Sequence, residues 1–224
     1  DLFVENDFVY MKTVKGKLKV DCIYRRLDDT FLDPKVFYKE SLIGVPGLFK
    51  CWKKGNVGII NALGTGVADD KAVYSYVNKM IVYYLGEQPK LNQVETFLCE
   101  NKVHRQHVIE NIAKLVVKPA NASGGYGIMI GPKAPKKERD EMVKKIKKNP
   151  RDFVAQPLEI LSTIPTICEN GIEPRHLDLR PFILTGKTSY VTTGGLTRVA
   201  LRKGSTIVNS SQGGGSKDTM VVDA

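Results

Sequence analysis

The chain has 224 residues, 42% of them hydrophobic, and a formal net charge of +10. That content can bury the core of one large domain or of two or three small lobes. No apolar run reaches the 18 or more residues of a membrane span. The positive charge favours anionic partners: nucleic acid, nucleotide phosphates or acidic substrates.

The chain opens without a Met, inside the predicted strand Leu2 to Met11 with a polar hairpin turn in it, as expected of an internal piece of a longer protein. Residues 1 to 30 read as a β-hairpin, with Lys15-Gly16-Lys17 between that run and Leu18 to Tyr24. A loop with Pro34, Pro46 and Gly47 leads to a short buried strand, Val57 to Ile60. The loop Asn61 to Lys71 precedes a helix running to about Leu85, with Asp69 and Asp70 placed to cap it. His104 to Lys114 reads as a surface helix, Leu115 to Lys118 as a strand closed by Pro119, Ala120 to Tyr126 as a glycine-rich turn, and Ile128 to Ile130 as a strand.

Lys133 to Arg151 holds much of the positive charge. Met142, Val143 and Ile146 form a narrow apolar stripe, so a helix with a charged outer face is predicted. It has no aromatic residues, which speaks against single-stranded nucleic acid. Phe153 to Gln156 is a strand ended by Pro157. The remainder is β-rich: Leu177 to Leu184, a turn at Gly186, Ser189 to Val191, Arg198 to Leu201, a turn at Gly204, and Thr206 to Val208. Fold class is α+β, without regular βαβ alternation.

The four cysteines, Cys22, Cys51, Cys99 and Cys168, fit neither a zinc site nor a small disulfide framework. They read as reduced thiols in a cytoplasmic protein. Familiar phosphate motifs fail as well. Gly186-Lys187-Thr188 has Pro181 where a P-loop needs its leading glycine. Gly125 to Gly131 misses the dinucleotide fingerprint by one residue, and a strand follows Gly127 where that motif needs a helix. What remains is strand, Lys118-Pro119, a glycine-rich flap and another strand. Glycines there let backbone N–H groups approach a phosphate closely. Lys118 ends an apolar strand, where an ammonium calls for a carboxylate, a ligand phosphate or a snorkelling path to water.

Taken together, these segments resemble the ordered signature of ATP-grasp enzymes: Lys71 in Asp-Lys, Lys118 in Val-Val-Lys-Pro, the flap Ser123-Gly-Gly-Tyr-Gly127 and the strand end Gln156-Pro-Leu158. Asp178-Leu-Arg-Pro-Phe182, Thr197-Arg198, and Asn209 with Gln212-Gly-Gly-Gly215 extend it. Three longer stretches, Tyr24 to Asp29, Asn61 to Lys71 and Asn209 to Asp218, are similar to the circularly permuted ATP-grasp family, type 2, itself distantly related to glutathionylspermidine synthase.

That resemblance implies two α+β lobes holding ATP with Mg2+, and an ATP-dependent carboxylate–amine ligase acting through an acyl phosphate. Residues 1–110 would be a region carrying the Asp-Lys motif, 111–160 the small lid lobe and 161–224 part of the C-terminal lobe. By the same resemblance Lys71 and Lys118 contact phosphates, with Ser123, Gly124, Gly125 and Gly127 in the lid. Gln156, Pro157 and Leu158 hold the adenine, and Arg198, Asn209 and Arg180 face the reacting groups. Asp178 is the one carboxylate expected near the metal, with Asn209 to assist, the main ligands lying outside the chain. Implied partners are a small-molecule or peptide carboxylate and an amine, with neither membrane nor nucleic acid. The alternatives are a non-catalytic nucleotide or polyanion binder, and a phosphotransferase using the same site.

Overall fold

Asn6 and Asp7 have φ values of 49° and 63°, the left-handed pair that a two-residue hairpin turn demands. They fold the first apolar run into β1 (Leu2–Glu5) and β2 (Phe8–Thr13), with Glu5 opposite Phe8. In this computed structural model residues 1–121, 126–209 and 213–221 are described. They form two units, Asp1–Gln93 and Val94–Ala224.

In the first unit β3 (Gly16–Lys19) returns along β2 to complete a three-stranded meander. The expected second arm, Leu18 to Tyr24, does not continue. Its last residues form β4 (Cys22–Tyr24), which pairs in parallel with β5 (Gly58–Ile60). Between these strands lie α1 (Asp29–Leu32), capped by Asp28 on Thr30 N at 2.9 Å, and α2 (Leu48–Lys53). The buried Asp33 carboxylate pins the intervening loop. It accepts from Lys35 N at 2.9 Å, Gly47 N at 3.0 Å and Phe49 N at 2.9 Å. Val9, Leu32, Leu48, Cys51, Val57 and Ile59 form the core.

A 3-10 turn over Thr65–Asp69 leads to α3 (Lys71–Tyr74), and α4 (Val77–Leu85) follows. The expected single helix is thus broken at residues 75 and 76. There the Ser75 hydroxyl donates to the Ala72 carbonyl at 2.7 Å, a local bond of the kind that competes with helical continuation.

The second unit begins with β6 (Phe97–Leu98) and α5 (Lys102–Glu110), capped by Asn101. Then come β7 (Leu115–Pro119), β8 (Met129–Ile130), α6 (Lys136–Lys148) and β9 (Phe153–Pro157). The strands form an antiparallel sheet in the order β6-β9-β7-β8. Val108 and Ile112 from the α5 region and Met142 and Ile146 from α6 bury against Leu115, Val117, Met129 and Ala155, with Val143 partly buried beside them. The apolar stripe of the basic helix is therefore where its sequence put it.

A second sheet follows, ordered β10 (Thr163–Cys168), β11 (Gly171–Thr185), β12 (Ser189–Ala200) and β13 (Gly214–Met220). Three expectations are corrected. Ser189 to Val191 and Arg198 to Ala200 belong to one strand that carries Gly194 and Gly195 inside it and ends before Leu201. Thr206 to Val208 is not a strand. The Gly213-Gly-Gly215 cluster is not all loop, since Gly214 opens β13, where a side chain would collide with the Val208 carbonyl. Gly186-Lys187-Thr188 is the turn between β11 and β12, as its failed P-loop spacing implied. Among the described residues, no helix is long and apolar enough to cross a membrane.

Candidate functional site

Alternation along β7 and β9 assigns their side chains to two faces. Leu115, Val117 and Ala155 belong to the helix-covered core. Val116 and Lys118, paired with Gln156 and Val154, therefore stand on the opposite face. Lys118 and Gln156 are diagonal neighbours across the two strands, and the Lys118 ammonium donates to Gln156 Oε1 at 2.6 Å. Gln156 is buried, and its Nε2 donates to Thr96 Oγ1 at 2.8 Å. The Thr96 hydroxyl in turn donates to the Val94 carbonyl at 3.0 Å. Of these residues Thr96 was not foreseen. Its one signal in the sequence, a lone Thr just before a two-residue strand, is no motif.

Pro157 continues β9 opposite Leu115. The β6 ladder reaches only Ala155, so Gln156, Pro157 and the exposed Leu158 run past the end of that neighbour. Gly127 has φ 72°, and a Cβ there would lie 2.9 Å from Pro119 Cγ, so glycine is what lets the chain return over Pro119. Ser123, Gly124 and Gly125 lie outside the described residues, as does Gln212.

The second constellation stands on β11 and β12, where Asp178 faces Arg198 directly. Arg198 Nε donates to Asp178 Oδ1 at 2.9 Å and Oδ2 at 3.2 Å, and a second guanidinium nitrogen also bonds Oδ2. Arg198 Nη1 donates to Asn209 Oδ1 at 3.3 Å. Arg180, on the same strand face as Asp178, has its Nε 3.7 Å from Oδ2 and is largely exposed. The Arg198 hydrogen bonds hold the Asp178 carboxyl below the usual carboxylate range, and the same bonds raise Arg198. Asp178, Arg180, Arg198 and Asn209 thus form one charged cluster. Among the described residues, no group of three or more His, Cys, Asp or Glu side chains is arranged to hold a metal. Asp178, the expected magnesium ligand, is hydrogen-bonded to Arg198.

In the first unit the Tyr24 to Asp29 and Asn61 to Lys71 stretches meet through the buried Arg25. Its guanidinium donates to the carbonyls of Asn61 at 2.6 Å, Ala62 at 3.0 Å and Leu27 at 2.7 Å, and pairs with Asp29. Asn61 Nδ2 answers by donating to the Arg25 carbonyl at 2.9 Å. This network fixes the loop that leads to Asp70, which caps α3 by accepting from Ala72 N at 2.7 Å. Lys71 is the first residue of that helix and is half-buried.

Comparison with known proteins extends this picture. The sequence profile described as circularly permuted ATP-grasp type 2 matches residues 1–200. An uncharacterised protein of Synechocystis sp. is 54% identical over 223 residues, covering 99% of this chain and 46% of that protein. One of Mycobacterium tuberculosis is 51% identical over 223 residues, covering 99% of this chain and 40% of its own length. A Frankia casuarinae protein, provisionally named a glutamate–cysteine ligase, is 45% identical over 222 residues, covering 99% of this chain and 26% of that protein. The chain therefore spans less than half the length of these relatives. With most of its length inside the profile, the chain belongs to the circularly permuted ATP-grasp type 2 family.

Proposed function

We propose that the chain carries the ATP-binding part of an acid–amine ligase, which activates a carboxylate with ATP and joins it to an amine, releasing ADP and phosphate. The observation that carries this reading is the half-buried Lys118 ammonium, held against the neutral amide of Gln156 on the sheet face away from the helix-covered core. An ammonium held in place in this way can meet a phosphate with little reorganisation, and preorganised charge is most effective there. Phosphoryl transfer depends chiefly on such positioning and charge stabilisation.

In this reading Lys118 and Lys71 bind phosphates, and Ser123, Gly124, Gly125 and Gly127 supply the lid backbone. The backbone of Gln156, Pro157 and Leu158 lies along the adenine, since the Gln156 side chain is committed to Lys118 and Thr96. Arg198, steadied by Asp178, and Asn209 stabilise the transferring phosphoryl group, and Arg180 stands ready for the acid. The described residues do not make a magnesium site of their own, so no step is assigned to a metal. The glutamate–cysteine ligase name of the Frankia relative makes glutamate and cysteine the first acid and amine to try, although most of that protein lies outside the match.

The test uses the full-length protein. ADP release should require both an acid and an amine. Lys118→Ala should markedly reduce the rise in melting temperature that ATP produces. A Lys118→Ala protein stabilised by ATP as strongly as the parent refutes the site. ADP release with the acid alone identifies the phosphotransferase instead. The exposed lysines of α6 favour the rival polyanion-binding reading. It predicts nucleic-acid affinity that falls steeply with salt, and a flat salt response removes it.

A further inference from the structure

Lys118 does not stand alone on its sheet face. Its ammonium donates to Gln156 Oε1 at 2.6 Å, Gln156 Nε2 donates to Thr96 Oγ1 at 2.8 Å, and the Thr96 hydroxyl donates to the Val94 carbonyl at 3.0 Å. We infer that Thr96 is a positioning residue for nucleotide binding, acting on Lys118 through the Gln156 amide.

The direction of the relay follows from what each group can donate. A hydroxyl has one proton, and here it goes to the Val94 carbonyl. Thr96 therefore offers Gln156 only a lone pair, and the amide must turn its nitrogen towards it. An ammonium has donors and no acceptor, so the amide oxygen must face Lys118. The two ends demand the same amide orientation, and Gln156 is buried, so a wrongly turned amide would leave polar groups unmet at appreciable cost. Sheet geometry fixes the rest. Gln156 is on β9 and Lys118 on β7, while Thr96 directly precedes β6 on the other side of β9. Phe97 packs towards the helices, which turns Thr96 to the face of Gln156 and Lys118. Two neighbouring strands and the residue just before a third thus contribute one member each to a line across the sheet that reaches the ammonium.

This inference rests on the proposed role of Lys118 in binding phosphate, and its test separates the two. ATP affinity is measured by titration calorimetry at 25 °C on the full-length protein and on Thr96→Val, Thr96→Ser, Lys118→Ala and the Thr96→Val/Lys118→Ala double variant. Valine keeps the shape of threonine without the hydroxyl. Thr96→Val should weaken ATP binding about threefold to tenfold, the affinity equivalent of one hydrogen bond. Thr96→Ser should restore it. In the Lys118→Ala background Thr96→Val should cost nothing further, since a residue acting through another loses its effect when that other is gone.

Full additivity in the double variant would mean that Thr96 supports the fold generally, and it overturns the inference. So does wild-type affinity in Thr96→Val while Lys118→Ala is impaired, which leaves the phosphate site standing. Unchanged affinity in Lys118→Ala removes the site and the relay together.

Discussion

Replacing Asp178 by Asn tests what that carboxylate does. The side chain keeps its size and loses its charge, leaving Arg198 without its counter-ion. Arg198 is 14% exposed and Asp178 27% exposed, so the pair is well shielded but not sealed. Removing one partner of a fully buried pair costs about 3–5 kcal/mol, and a hydrogen bond to a charged group contributes about 1.5–3 kcal/mol. With partial exposure and with the Asn209 contact retained, about 2 kcal/mol is expected for Asp178→Asn. Arg180→Gln is the control: its Nε is 3.7 Å from the carboxylate and its side chain 56% exposed. A pair of that kind contributes about 0–1 kcal/mol. Urea unfolding followed by far-UV circular dichroism, without nucleotide or metal, measures both. The pH dependence has a definite sign. Because Arg198 holds the Asp178 pKa below its ordinary value, the pair stabilises fully above that ordinary value, about 3.9. The contribution is lost as pH falls through the lower folded-state value. The difference between parent and Asp178→Asn should therefore be constant near neutrality and shrink in acid. A loss below about 0.5 kcal/mol at neutral pH, within the usual range for an unimportant surface position, would refute the counter-ion role and return Asp178 to metal binding.

Two other perturbations probe the frame around the site. Asp33→Ala removes the acceptor for the backbone N–H groups of Lys35, Gly47 and Phe49. It should cost about 1–3 kcal/mol by leaving part-buried donors unpaired, read as a lower urea midpoint by Trp52 fluorescence. The thiols should divide by burial. Burial pushes Cys99 up to about 11 and also raises Cys51, whereas Cys22 is exposed. A chromogenic disulfide at pH 8 should label Cys22 within minutes and reach Cys99 and Cys51 only after denaturant is added. Rapid labelling of Cys99 in the folded protein would contradict the core assigned to the second unit.

Much of the frame was legible because local patterns decide it. Leu115-Val-Val-Lys-Pro announces a buried strand whose last side chain must find polar company, and the stripe Met142, Val143, Ile146 orients the basic helix. Asp70 was readable as a cap from its place before Lys71. The partners of strands were not readable. Cys22–Tyr24 has a strand's composition, but nothing in it selects a parallel neighbour beginning at Gly58 over the adjacent hairpin. The glycine clusters at 194–195 and 214–215 carry no strand signal, yet they lie within β12 and β13, and at Gly195 and Gly214 a neighbouring carbonyl stands too close for any side chain. Residue type alone singled out Lys118, Arg198 and Asp178 as candidates, and only the fold shows what each of them touches. Residue type missed Thr96, whose part depends on a neighbour 60 residues away. Nor could the sequence show that β12 sets Arg198 opposite Asp178, since a carboxylate's neighbour across a sheet is decided by the pairing of strands.

The long hairpin of β11 and β12 has one further implication. β10 accompanies β11 only as far as His176, and β13 joins β12 only from Gly194 onward. Past the irregularity between Pro181 and Ile183 the ribbon is therefore two strands wide, with Phe182, Leu184 and Tyr190 each more than half exposed. A ribbon that narrow has little cohesion of its own. Its margins carry main-chain groups that neither β10 nor β13 engages, so its amide protons should exchange with solvent far sooner than those of Leu196 to Ala200, and crowded solutions should favour edge-to-edge association there.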